Sequence, residues 1–144
     1  MDLRTKKTLR SIKNAFIELR ARKPLERITV KELAELAEVS KATFYLHYHD
    51  IYDLSDHMQK EVIRSILENI SQPDLLLTNE IEYRKELFQA FYSEQSLIDI
   101  LFADSQSAVL PMSIEMELKE YICRLVPHAK DNDKFNILLT YKIY

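Results

Sequence analysis

The chain contains no glycine, against average usage of about 7%. Loops that cradle phosphate through GxGxxG or GxxxxGK[ST] need glycine for close backbone approach, so dinucleotide-binding and P-loop enzymes are excluded. With only four prolines and 30% charged residues, the sequence predicts an all-α chain with short connections rather than a turn-rich β fold. Its 144 residues suffice for a real core, since a chain of this size buries roughly 68–70% of its unfolded surface without a metal or disulfide staple. The single cysteine, Cys123, rules out an intramolecular disulfide framework and multi-cysteine zinc motifs, and favours a reducing compartment. No apolar run approaches the ~18 residues of a membrane span, and Met1 to Lys7 lacks the apolar stretch of a secretory signal. The expectation is a soluble, cytoplasmic protein.

The net charge of −3 conceals a polarity. Residues 1–50 carry eleven Lys/Arg against seven Asp/Glu, whereas residues 51–144 carry nine against sixteen. The first 23 residues alone hold eight basic and two acidic side chains. This asymmetry suggests a nucleic-acid-facing front end on an acidic body, set against the plainer reading of a solvated helix face.

Apolar residues Leu9, Ile12, Phe16 and Leu19, with Ala15 beside them, recur at helical spacing and predict a first helix over Thr5 to Arg22. Lys6, Lys7, Arg10, Lys13 and Arg20 fall largely on its other faces, and Pro24 closes it. Thr29-Val30-Lys31-Glu32 has the form of a capping box, opening a short helix over Val30 to Ala37 that stops at Glu38-Val39. Ser40 is the N-cap of a third helix carrying Phe44 and Tyr48. Asp50 caps a fourth, about Ile51 to Ile70, with Leu54, Met58, Val62, Ile66 and Leu67 on its buried side. Pro73 marks a break. Further helices are predicted over Thr78–Glu94, Gln95–Asp104 and Pro111–Val126, the last with a first-turn proline, and an apolar segment runs from Asp133 to Tyr144.

Two short helices joined by a four-residue turn form a helix-turn-helix, whose second helix enters the DNA major groove. Leu33, Ala34, Ala37, Val39 and Phe44 suit such a close crossing. At this point the stretch from Ile28-Thr29-Val30 through Val39-Ser40-Lys41-Ala42-Thr43-Phe44-Tyr45-Leu46-His47-Tyr48 to Asp50-Ile51-Tyr52-Asp53-Leu54 resembles the N-terminal DNA-binding domain of the TetR family of bacterial transcriptional regulators. The resemblance covers about Arg4 to His57. It implies a helix-turn-helix domain over residues 1–50 and a helical effector-binding and dimerisation body over 51–144, entered through the connecting helix 51–70.

The resemblance also implies that Thr29 contacts a phosphate, that Lys41, Ala42 and Thr43 face base edges, and that Tyr45 and His47 contact the DNA backbone. Lysine, threonine and tyrosine have the chemistry for these roles. Basic residues of the first helix from Arg4 and Lys6 to Lys13 would add phosphate charge and salt-dependent affinity. Three positions depart from the family pattern. Glu38 stands where glycine is usual, at a site that often needs positive φ, with an expected cost on the order of 1 kcal/mol. Ala42 stands where glycine or another small residue is common, and Ile51 replaces a frequent lysine, removing one phosphate contact. The family also continues through two more helices that make the dimer, so the chain reads as a truncated or natively shortened member. A homodimer on a palindromic double-stranded operator is the working expectation.

His47, His49, Asp53 and His57 invite a metal reading, but only Asp53 and His57 share a helix face, so solvated or phosphate-near histidines are expected instead. Nothing resembles a nucleophile elbow, Cys123 lies in an apolar pattern that suits a core thiol, and neither an enzyme nor a cofactor is expected. Phe88, Phe91, Tyr92, Phe102, Met112, Met116 and Tyr121 are candidates for an effector pocket, set against simple core packing. The leading expectation is therefore a repressor released by an unknown small-molecule effector. The alternative is a co-regulator that keeps the helix-turn-helix fold and acts through a protein partner.

Overall fold

Side-chain caps set where each of the first four helices begins. In the computed structural model, which describes residues 1–70 and 75–125, the Thr5 amide donates to the Asp2 carboxylate at 2.8 Å. Helix α1 therefore spans Leu3–Arg20, starting two residues before the predicted Thr5. It ends before Arg22 because the Ala21 and Lys23 amides turn back to the carbonyls of Ile17 and Leu19, both at 3.0 Å. A 3-10 turn at Leu25–Arg27, not expected from the sequence, follows Pro24 and buries Leu25.

Helices α2 (Val30–Ala37), α3 (Lys41–His47) and α4 (Ile51–Glu68) lie where the spacing placed them, α4 being shorter than predicted at its end. The capping box of α2 is complete, with the Glu32 amide donating to Thr29 Oγ1 and the Thr29 amide donating to Glu32 Oε2, both at 3.2 Å. Ser40 Oγ accepts the Thr43 amide at 3.0 Å, and the Asp50 carboxylate accepts that of Asp53 at 2.8 Å. Each cap satisfies a donor that the first helical turn leaves open.

Later boundaries differ more. A single turn, α5 (Leu75–Thr78), precedes α6 (Glu80–Ser93), because Asn79 restarts the helix by accepting the Glu82 amide at 3.3 Å. Helix α7 (Gln95–Leu101) stops short of the predicted Asp104, whose φ of 56° cannot continue a right-handed helix. A 3-10 turn at Asp104–Gln106 leads to α8 (Val109–Leu125). Pro111 is thus its third residue, where its missing N–H is still one that no helical carbonyl would accept. Among the described residues there is no strand, in keeping with an all-α fold containing a helix-turn-helix. The break at Pro73, the predicted end of the last helix at Val126, and the segment Asp133 to Tyr144 lie outside the described residues.

One buried cluster runs from Ile12 and Phe16 through Leu33, Phe44 and Leu54 to Ile98, Leu118 and Ile122. Helix α4 joins the two halves: Ile51 and Leu54 at its start belong to the same buried cluster as Phe16, Phe44 and Tyr48, and the helix packs against α6, α7 and α8. Helix α1 packs on α2 and also on α7, so the N-terminal helices are seated directly on the body.

The sequence reading of Arg20 needs correction. Its side chain is fully buried rather than on a solvated face, donating to the carbonyls of Lys23 and Ala103, each at 3.1 Å. Helical spacing assigns a face but does not reveal which polar residue a distant loop will cover. Cys123 is half-buried on α8 and packs against the core. Among the described residues, no helix is long and apolar enough to cross a membrane.

Candidate nucleic-acid interface

The turn between α2 and α3 is built around Glu38, which adopts left-handed φ 58° and ψ 41°. That conformation lets the Val39 amide return to the Ala34 carbonyl at 3.0 Å, closing the end of α2 and redirecting the chain. Ala34 and Ala37 are buried on α2, which packs against α3, so small side chains on α2 admit the helix that follows. The left-handed geometry is that of the glycine expected from the family pattern, carried here by a residue with a Cβ.

Phe44 and Tyr48 anchor α3, their rings 5.7 Å apart and both buried. The opposite side of the helix presents Lys41, Ala42, Tyr45 and Leu46 to solvent. The Tyr45 ring stands edge-on to Phe44, with centroids 5.4 Å apart at 86°, which packs its base and leaves it more than half exposed. Thr43 is half-buried, and its Oγ1 accepts from the Ser40 hydroxyl at 2.9 Å, so its own hydroxyl hydrogen remains free to donate. Lys41, Ala42, Thr43 and Tyr45 are thus brought together on one short, firmly capped helix.

Other candidates are placed differently. The Thr29 hydroxyl is exposed at the start of α2, but it is engaged within the capping box, donating to Glu32 at 3.1 Å. Lys23 pairs with the same Glu32 carboxylate. The Lys23 ammonium, together with the Thr29 donors, holds the Glu32 carboxyl below the usual glutamate range. His47 is half-buried and lines a groove with Tyr48, His57 and Arg64 rather than the outer side of α3. Arg4 and Lys6 are exposed. Lys6 borders a groove of about 590 Å³ between α1, α4 and α7, and Lys13 in that groove pairs with Glu61 at 2.8 Å.

Asp53 accepts the His49 amide at 2.9 Å and lies 3.4 Å from His57 Nε2, an arrangement that organises the start of α4. Of the effector-pocket candidates, Phe102 is buried, Phe91 and Tyr121 are half-buried, and Phe88, Tyr92, Met112 and Met116 are exposed. These four form open apolar surface on α6 and α8. The residue to which the sequence reading gives no role is Leu46, exposed at 80%; its place two residues from both Phe44 and Tyr48 puts it on the side of α3 away from their buried rings, a signal already present in the spacing.

No family model and no solved structure matches the chain. It is 32% identical over 73 residues to the uncharacterized HTH-type transcriptional regulator YxbF of Bacillus subtilis (strain 168), a match covering 48% of this chain. The chain spans 19% of that relative's length.

Proposed function

We propose that the chain is a sequence-specific DNA-binding transcriptional regulator of the TetR type, and a binding protein rather than an enzyme. The observation that carries this reading is the outer side of α3, where Lys41, Ala42 and Tyr45 are exposed. Helix α3 stands on a buried Phe44 and Tyr48 and is capped by Ser40. Such a helix offers side chains to base edges and phosphates while its own position is fixed. The name of its bacterial relative, an HTH-type transcriptional regulator, points the same way. In this reading the protein works in the cytoplasm as a homodimer, with two copies of α3 set about one DNA turn apart, ~34 Å, on a palindromic operator. It represses transcription until a small-molecule effector changes that separation.

Selection of bound duplexes from fragmented source-genome DNA at two salt concentrations tests the proposal, using the chain alongside Lys41→Ala and Tyr45→Ala. Both positions are exposed, so the variants retain the fold. Recovery of a palindromic site with steep salt dependence, and loss of roughly ten-fold or more in retention by each variant, is the expected result. Unchanged retention in both variants overturns the assignment of α3.

A second reading is favoured by Phe88 and Tyr92 on α6 and by Met112 and Met116 on α8, all exposed large apolar residues. Apolar surface of this kind suits a protein partner, which would make the chain a co-regulator. Pull-down of a protein partner, compared with thermal shifts against a small-molecule library, separates the two.

A further inference from the structure

After the terminal methionine, Leu46 is the most exposed of the large hydrophobic side chains described, at 80%. It lies one helical turn from Ala42, which is also exposed, and the two occupy the side of α3 opposite the buried Phe44 and Tyr48. The centre of the outward face is therefore apolar, with Lys41 and Tyr45 along its edge. Neither alanine nor leucine carries a donor or acceptor, so this centre cannot read the hydrogen-bond pattern of a base pair. In the major groove the one apolar group on a base edge is the C5-methyl of thymine.

We infer that Ala42 and Leu46 are specificity-determining residues that read thymine methyl groups in each half of the operator. The inference rests on the DNA-binding reading above and adds which base the site selects. Residues four apart on a helix are separated by about 6 Å, a little under two base-pair steps of about 3.4 Å each, so the thymines they read lie within about two steps of one another. Lys41, at the start of α3, reaches an adjoining guanine edge or phosphate. A protein partner does not fit this patch: one alanine and one leucine supply a small part of the ~800 Å² that a stable interface buries on each side.

The test uses a duplex recovered from a randomised library by the full chain, rebuilt with deoxyuridine in place of thymine at one position at a time. Uracil keeps every hydrogen-bonding group of thymine and lacks only the methyl. Binding should weaken roughly three- to four-fold at one or two positions in each half-site, the effect of withdrawing one buried methyl group. Leu46→Ala, which keeps a strong helix former at an exposed position, should bind thymine and uracil equally at one of those positions and retain the discrimination at the other. Equal binding of every uracil duplex by the unaltered chain overturns the inference alone, as does full thymine preference in Leu46→Ala. Failure to retain any duplex overturns the DNA-binding reading together with it.

Discussion

Arg20, the last residue of α1, donates from Nη2 to the carbonyl of Ala103 at 3.1 Å, across 83 residues of sequence. Its Nη1 serves the Lys23 carbonyl at 3.1 Å and lies 3.5 Å from the Asp104 carboxylate. The last carbonyls of a helix have no partner within it. At the end of α7 they are met from two directions: Gln59 of α4 donates to the Leu101 carbonyl at 3.0 Å, and Arg20 meets Ala103 just beyond. A cation at that point also complements the negative end of the α7 dipole. The corner after α7 is thereby fixed to both α1 and α4.

Arg20→Ala should lower stability by about 2–4 kcal/mol, since it removes two charge-assisted bonds and empties the space of a fully buried side chain; the Ala103 carbonyl keeps the Gln106 amide at 3.1 Å. Asp104 is exposed, so its attraction to Arg20 adds little. Arg20→Lys should recover less than half of the loss, because an ammonium lacks the planar fork that reaches two carbonyls at once. Urea unfolding followed by circular dichroism measures both, and an unchanged midpoint in Arg20→Ala would show that the corner holds without it.

Glu38→Gly should raise stability by about 1 kcal/mol. Glu38 holds φ 58°, where a Cβ crowds the backbone and glycine does not. Its amide bonds to the Glu35 carbonyl at 3.2 Å, a bond glycine keeps. Glu38→Val should move the urea midpoint the other way, because branching at Cβ worsens the same crowding. A lower midpoint in the glycine variant would remove strain as the explanation.

Much of the architecture was legible because its determinants are local. Thr29 with Glu32, Ser40 and Asp50 each cap a helix through a residue three positions on, so a short window of sequence contains the whole interaction. Phe44 and Tyr48, one turn apart, likewise announce the buried side of α3. Arg20 departs from its helical pattern for the complementary reason. A charged residue is buried when a segment far along the chain covers it, as the Ala103 loop covers Arg20, and that condition is not written within a helical turn. Asp2 and Asn79 are short-range caps that the apolar periodicity overrode, since the pattern marks where a helix is buried and not where its backbone begins.

Tyr83→Phe should be neutral to stabilising, by up to about 2 kcal/mol. The Tyr83 ring is buried at 2% exposure, and its hydroxyl has no hydrogen-bond partner among the described residues. An unpaired buried hydroxyl costs about 1–3 kcal/mol, and phenylalanine keeps the ring while removing it. Burial, with the Tyr121 and Glu86 side chains nearby, also drives the phenol well above the ordinary tyrosine range, so Tyr83 should stay protonated in alkali that ionises exposed tyrosines. Ultraviolet titration of the wild type and the variant, together with their urea midpoints, checks both statements. A clear loss of stability in the variant would mean that the hydroxyl is bonded in solution.

Glu32 should give the first turn of α2 an acid-labile contribution to stability. The Lys23 ammonium and the Thr29 donors lower its carboxyl pKa in the folded chain. For a carboxylate shifted downwards, the folded state binds fewer protons than the unfolded one, so the stabilisation is complete above the unfolded value, about 4.3, and is lost as pH falls through the lower folded value. Its size is that of a half-buried pair at the surface, about 0–1 kcal/mol, and salt weakens it. Glu32→Gln preserves the capping geometry while removing the charge, so the variant isolates this effect. The stability difference between the two proteins should be constant from neutral pH down to the ordinary glutamate range and should shrink below it. Lys23→Met should move the acid loss to higher pH, because it removes the largest cause of the shift. A difference that does not vary with pH, measured by urea unfolding across an acid series at low salt, would place the contribution of Glu32 in its hydrogen bonds alone.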